Sequence, residues 1–111
     1  MPGSQDFTHD PRNDSVLIYL NDAMVPKADA RVSVFEAGFV LGDGVWEGLR
    51  LHRGALLFLE AHLDRLYAGA AAIRLNLGLT REEMVDALYQ TCRVNGMRDG
   101  AHLRLMCTRG V

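Results

Sequence analysis

Lysine is almost absent from this sequence: Lys27 is the only lysine among twelve basic residues, and the other eleven are arginine. Any chemistry that needs a lysine amine must therefore use Lys27 or a residue outside this chain. Cysteine is equally scarce, and Cys92 and Cys107 are too few for a disulfide scaffold. Both lie within regular apolar patterns, which predicts buried thiols in a reducing compartment. We therefore expect a cytoplasmic protein.

The sequence also has little net charge and no long apolar run. Its formal charge is −2 and its pI is near 6.0. This charge excludes the basic surface typical of proteins that bind nucleic acid or anionic membranes. No apolar run approaches the roughly 18 residues of a membrane span, and the beginning lacks the apolar core of a signal peptide. A length of 111 residues, 49% of them hydrophobic, is enough for one domain with its own core.

Local patterns predict several antiparallel strands and two long helices packed on them, an α+β fold. Residues 1–15 are polar and aperiodic, so we expect a flexible arm before a folded domain at 16–111. Strands are predicted at 16–20, 23–25, 45–52, 55–58 and 101–108. In the last of these, alternation puts His102, Arg104 and Met106 on one face.

Helix signals are equally local. Apolar residues spaced three and four apart predict one helix face, made of Leu59, Leu63, Leu66, Ala70 and Ile73. A second long helix is predicted to begin at Thr80, with Glu83 completing a capping box, and to end at Asn95-Gly96. Ser33 and Glu36 fit another capping box, which predicts a short helix over residues 37–40.

Arg65 is the leading candidate for a binding residue. It lies at the edge of the first long helix, where its neighbours one and two turns on, Gly69 and Ala72, are small. The guanidinium therefore has room to leave the helix and to bind a phosphate or carboxylate with two hydrogen bonds. The alternative is a surface arginine paired with Glu60 or Asp64, an arrangement that is common and weak on helices.

The strand at 45–52 and the glycines before it form a second candidate region. Gly42, Gly44 and Gly48 have neither dinucleotide-binding nor Walker spacing, and a strand follows them where those motifs require a helix. On the strand, Trp46 and Arg50 share a face and could wall an amphipathic pocket. The alternative is a tryptophan packed in the core beside a solvated Arg50. His102 and Arg104 could bind a substrate carboxylate or be the solvated side of a strand.

Other kinds of site find no support in the sequence. The four histidines lie far apart and lack metal-ligand spacing, so no metal site is predicted. Each cysteine lies within an apolar face, which argues against a nucleophilic thiol. No G-x-S-x-G elbow is present.

Three segments together resemble the N-terminal domain of the class IV (fold type IV) pyridoxal-phosphate-dependent aminotransferases. This family includes branched-chain and D-amino-acid aminotransferases and the related aminodeoxychorismate lyases. The resembling segments are residues 34–50, 58–66 and 103–110. Most specific is the block Gly42-Asp43-Gly44-Val45-Trp46-Glu47, followed at the family's distance by His62-x-x-Arg65-Leu66. The resemblance covers roughly residues 15–111.

The resemblance implies roles for several residues. Arg65 matches the arginine that binds the phosphate of pyridoxal 5'-phosphate (PLP), and Trp46 matches an aromatic wall of the substrate pocket. Arg104 matches an arginine that binds substrate carboxylates in branched-chain enzymes. Leu41 replaces a tyrosine of those enzymes, so a hydroxyl contact to substrate is missing. Arg50 lies on the same strand face as Trp46 and is also assigned to substrate binding.

The resemblance also implies that part of the enzyme lies elsewhere. In the family the Schiff-base lysine belongs to a second, catalytic domain, which we expect beyond Val111. Lys27 matches no family motif, so no catalytic residue is assigned here and this chain alone is expected to be inactive. Amino acids and 2-oxo acids are the implied substrates, and a homodimer the implied assembly. A lyase with the same cofactor, and a stand-alone binding or dimerisation module, are the alternatives.

Overall fold

The structure, a computed structural model, describes residues 8–111, and these divide into two compact units, residues 8–30 and 31–111. In the first unit, β1 (Leu17–Leu20) and β2 (Ala23–Pro26) form an antiparallel hairpin. Asn21 and Asp22 turn it with φ of 49° and 69°, a conformation that asparagine and aspartate tolerate. Residues 1–7 of the predicted arm lie outside the described residues. In the remainder Pro11–Asn13 forms a 3-10 turn capped by Asp10.

The second unit contains three helices and a three-stranded antiparallel sheet. The helices are α1 (Ala37–Val40), α2 (Leu59–Ala72) and α3 (Arg81–Val94). The strands are β3 (Gly44–His52), β4 (Ala55–Leu56) and β5 (Ala101–Thr108), in the order β4-β3-β5. The α+β class is confirmed, and the described strands form two separate sheets. No helix among residues 8–111 is long and apolar enough to cross a membrane.

The core lies between β3 and the two long helices. Leu49 and Leu51 of β3 are 0% and 1% exposed, as are Leu63 and Leu66 of α2. Leu56 of β4 and the α3 residues Met84, Leu88 and Cys92 complete this cluster. Burial of such side chains is the main favourable term in folding, and the helical spacing of these residues places them on one side of each helix.

Both long helices have well-defined ends. The capping box of α3 is present: Thr80 accepts a hydrogen bond from the backbone of Glu83, whose carboxylate accepts one from the backbone of Thr80. Gly96, with φ of 62°, follows the predicted end. In α2 the residues Leu63, Leu66 and Ala70 of the predicted face are buried, whereas Leu59 in the first turn is half-buried and Ile73, the C-cap, is exposed.

Two local predictions were wrong. The strand expected over 55–58 ends at Leu56, because Phe58 adopts the left-handed conformation (φ 54°) and turns the chain directly into α2.

The second wrong prediction concerns the cap of the short helix α1, which is Glu36 and not Ser33. The Glu36 carboxylate accepts from the backbone N–H of Phe39 at 3.0 Å, while the Ser33 hydroxyl accepts from Phe35 before the helix begins.

Candidate functional site

Glu47 is a buried carboxylate on the core side of β3. Its strand neighbours on that side, Val45, Leu49 and Leu51, are apolar, and its own exposed fraction is 4%. A carboxylate in such surroundings is unfavourable by several kcal/mol unless charged or hydrogen-bonding partners compensate it. No role was assigned to Glu47 from the sequence.

The partners of Glu47 are two side chains of α2. Arg65 donates from Nε to Oε2 at 2.8 Å and from Nη2 to Oε1 at 2.7 Å. The Nδ1 atom of His62 lies 2.6 Å from Oε1. The hydrogen bond from Arg65 outweighs burial, so the pKa of Glu47 falls to about 2. The same bond raises the pKa of Arg65. The carboxylate is therefore ionised at neutral pH.

Helical geometry brings His62 and Arg65 to one carboxylate, since residues three apart lie on the same side of a helix. Leu63 and Leu66 anchor α2 in the core and bring it against β3. Gly69 faces β3 at this contact, since a Cβ there would lie 3.3 Å from Cγ1 of Val45.

Arg65 combines this anchored position with exposure, since 73% of its side chain is accessible. It lines a surface depression of about 490 Å³ together with Val45, Trp46, Glu47, Gly48, Leu66 and Gly69. Residues from both faces of β3 contribute, so the depression lies over the strand edge that β5 does not occupy. The surface ion pairs considered from the sequence alone are not formed. Asp64 and Glu60 lie 2.6 and 3.7 Å from Arg81 instead.

Trp46 lies at the rim of this depression with 56% of its surface exposed, so it is not a core residue. The guanidinium carbon of Arg104 is 4.4 Å from the centroid of its ring, within cation–π distance. In the β3–β5 register Arg104 lies opposite Gly48, and His102 lies opposite Arg50. Trp46, Arg50, His102 and Arg104 therefore share the solvent face of the sheet.

Leu41 does not line the depression. It follows α1 and is 76% exposed.

Arg109 holds the loop between α1 and β3, because it donates to both carboxylate oxygens of Asp43 at 2.8 and 3.1 Å. Arg109 also donates to the carbonyls of Ile73 and Arg74 at the end of α2. The hydrogen bond from Arg109 lowers the pKa of Asp43. Gly44 is the first residue of β3, so a strand follows these glycines, as the sequence predicted.

The remaining candidates for chemistry are poorly placed. Lys27 belongs to the first unit and donates from Nζ to the Asn13 carbonyl at 3.2 Å on the surface. Burial raises the pKa of both Cys92 and Cys107, which disfavours the reactive thiolate. Within the described part of the chain, no three His, Cys, Asp or Glu residues are grouped as metal ligands.

Similarity to known proteins extends over most of this chain. Residues 44–111 match the family model described as amino-transferase class IV. A putative branched-chain-amino-acid aminotransferase of Methanocaldococcus jannaschii is 49% identical over 94 residues, which cover 85% of this chain and 32% of that protein. A D-alanine aminotransferase of Staphylococcus haemolyticus is 33% identical over 94 residues, covering 85% of this chain and 33% of that protein.

Solved structures share the fold. A branched-chain aminotransferase from the thermophilic archaeon Thermoproteus uzoniensis, in a structure with norvaline, superposes with a TM-score of 0.77 and 28% identity, covering 85% of this chain and 33% of that chain. A 4-amino-4-deoxychorismate lyase from Pseudomonas aeruginosa superposes with a TM-score of 0.61 and 33% identity, covering 73% of this chain and 28% of that chain. This chain thus spans about a third of the length of these proteins.

Proposed function

The chain belongs to the class IV aminotransferase family, and from this we propose that it is the N-terminal part of a PLP-dependent aminotransferase. The complete enzyme would exchange an amino group between an amino acid, branched-chain or D-, and a 2-oxo acid. The observation that carries this proposal is the position of Arg65. Its guanidinium is exposed beside a depression of a size suited to a small ligand, and it is held there by a buried carboxylate.

The residues of this chain fit the phosphate end of PLP. Arginine suits a phosphate because its planar fork donates two parallel hydrogen bonds. Gly48 and Gly69 line the same depression without side chains that would fill it. In this proposal Arg65 binds the phosphate, and Trp46 walls the pocket and excludes water. When bound, PLP supplies the electron sink on which amino-group transfer depends.

Substrate recognition is assigned to the solvent face of the sheet. Arg104, stacked on Trp46, presents a cation beside the pocket wall and would bind a substrate carboxylate. Arg50 is exposed on the same face and would add positive charge there. Leu41 lies outside the depression, so its proposed role, an apolar contact without a hydroxyl, rests on the family resemblance alone. These assignments extend the roles implied by the family resemblance.

The chain contains no lysine suited to carry the cofactor, because Lys27 is on the surface of the other unit. A lysine that forms a covalent bond with the cofactor needs a desolvated or otherwise tuned amine. We therefore assign that lysine to another part of the full-length protein and expect this chain alone to be inactive. We also propose a cytoplasmic homodimer, by extension from the family.

A lyase activity is the second candidate, favoured by the similarity to 4-amino-4-deoxychorismate lyase. The full-length gene product, assayed with PLP, would decide between them. Transfer of the amino group of L-leucine or D-alanine to 2-oxoglutarate supports the proposal. Release of pyruvate from 4-amino-4-deoxychorismate without such transfer favours the lyase. Absence of both activities, with no PLP bound, would favour a non-catalytic binding or dimerisation module.

A further inference from the structure

The guanidinium of Arg65 is only partly occupied by Glu47. An arginine side chain has five N–H donors. Glu47 receives one from Nε and one from Nη2, which leaves three. Among residues 8–111 the Nη1 atom has no hydrogen-bond partner. One edge of the fork thus contacts the protein interior, while the other edge is free toward solvent, at an exposed side chain that lines the depression.

We infer that Glu47 is a positioning residue, which fixes the plane of the Arg65 guanidinium so that its free edge meets the phosphate of PLP. This inference rests on the function proposed above. Glu47 does not touch the ligand in this arrangement. It acts through Arg65 alone.

The physical basis is side-chain entropy. Ordering a free arginine side chain costs conformational entropy, because several rotatable bonds must be fixed. Two hydrogen bonds to one carboxylate define both the position and the plane of the guanidinium, so this cost is met when the domain folds and not when the ligand binds. The carboxylate is itself fixed, because it is buried between apolar strand neighbours and because His62 bonds its Oε1.

The pairing is specific to Glu47. Two other carboxylates of α2, Glu60 and Asp64, are nearby in sequence but are engaged by Arg81. Asp64 therefore provides a matched control, since Asp64→Asn removes one negative charge from the same helix without touching Arg65. Glu47→Gln keeps the size of the side chain and an acceptor oxygen, but it removes the charge and one of the two acceptors for Arg65.

The first test observes Arg65 directly, by proton exchange of arginine Nε–H groups in NMR spectra of the full-length protein without PLP. The Nε–H of Arg65 should exchange with water at least about tenfold more slowly than that of Arg93, as expected for a charge-assisted hydrogen bond. Arg93 is exposed and has no side-chain partner among residues 8–111. An equal rate for the two arginines overturns the inference, and this result requires no variant to fold.

The second test uses the full-length protein, titrated with PLP and with pyridoxal, which lacks the phosphate. The Kd of pyridoxal divided by the Kd of PLP measures how much the phosphate contributes to binding. It should fall about 5- to 20-fold in Glu47→Gln, the range of a weakened charged hydrogen bond, and stay unchanged in Asp64→Asn. A purely structural role of Glu47 would weaken both ligands equally.

Arg65→Gln separates the two ways in which the idea could fail. If this variant leaves the ratio unchanged, Arg65 does not bind the phosphate and the proposed function of that residue is wrong. If Arg65→Gln lowers the ratio while Glu47→Gln does not, phosphate binding stands and the positioning role is wrong. Should Glu47→Gln not fold, the exchange rate of Arg65 in the unaltered protein decides.

Discussion

The Arg104 guanidinium stacks on the Trp46 ring at 4.4 Å, across the strand pair β3 and β5. Both side chains are on the solvent face, so the stack orders a cation that water would otherwise leave mobile. Exposed cation–π pairs contribute roughly 0.5–1 kcal/mol. A small but measurable effect of the ring on the behaviour of Arg104 is therefore expected.

Replacement of Trp46 by leucine should release Arg104 while keeping an apolar side chain at the pocket wall. On the function proposed above, the KM of the full-length protein for the 2-oxo acid should rise about 2- to 5-fold, the factor that corresponds to an exposed cation–π contact. The Trp46→Phe variant keeps an aromatic ring, so its KM should lie between those of Trp46→Leu and the unaltered protein. Equal KM values for all three proteins would contradict a role of the stack in carboxylate binding.

Loss of the charge on Glu47 should change the response of stability to acid. Its pKa in the folded protein is lowered from 4.5 to about 2. The carboxylate therefore contributes stability above about pH 4.5, and this contribution disappears as the pH falls through 2. Urea unfolding measures this effect between pH 6 and pH 2. Over that range the free energy of unfolding of the unaltered chain should fall by on the order of 2 kcal/mol more than that of Glu47→Gln.

Asp10, Glu36, Asp43 and Asp99 also have lowered pKa values, but they are present in both proteins and cancel in this comparison. Parallel pH profiles for the two proteins would show that folding does not lower the pKa of Glu47.

Two glycines of the second unit should respond oppositely to alanine. A Cβ on Gly44 would lie 2.6 Å from the backbone oxygen of Cys107 in β5, and this oxygen cannot move away without disturbing the pairing of β5 with β3. Gly44→Ala should lower the free energy of unfolding by roughly 1–3 kcal/mol. Gly69 meets only a side-chain methyl of Val45 at 3.3 Å. There the helix-forming advantage of alanine, up to about 1 kcal/mol, offsets the contact, so Gly69→Ala should be nearly neutral. Denaturant unfolding of both variants measures the difference.

Removal of the Arg109 side chain should loosen the loop that leads into β3. Arg109→Gln loses the contacts to Asp43 and to the carbonyls that end α2. Backbone amides of residues 41–44 should then exchange with solvent about 2- to 5-fold faster, the range for exposed ion pairs. Arg93→Gln, which changes the same charge on an exposed arginine of α3, is the control and should leave these amides unaffected.

The 111-residue chain alone should not form a specific covalent adduct with PLP. Lys27 is its only lysine and lies on the surface, so its absorbance with PLP should match that of free lysine at equal concentration. An excess of absorbance that disappears in Lys27→Arg would show that Lys27 is a tuned amine and that the assignment of the reactive lysine to another part of the protein is wrong.

Features that depend on a few neighbouring residues could be predicted from the sequence. The capping box at Thr80 and the stop at Gly96 require only local hydrogen bonds and a glycine in the left-handed conformation. The alternation of β5 was equally clear, because one face of that strand is covered and the other is not. Phe58 was missed, since nothing in the sequence marks a phenylalanine as left-handed.

The candidate site was found only in part. Arg65 stood out through its small neighbours and the family resemblance, whereas its partner Glu47 did not. The pair joins residues 18 apart in sequence and forms only when α2 packs against β3. A signal was nevertheless present: a glutamate among apolar residues on one strand face predicts a buried carboxylate, and such a group requires a cation or other hydrogen-bond donors.

The shared carboxylate also constrains how this domain can move. A shift of α2 along β3 that separated Arg65 from Glu47 would leave a buried, ionised carboxylate without its counter-charge, which is a high-energy state. The helix and the strand are therefore expected to move together, as one rigid body, in any motion of this unit. Any hinge has to lie in the connections outside residues 44–72, where backbone angles can change without separating these charges.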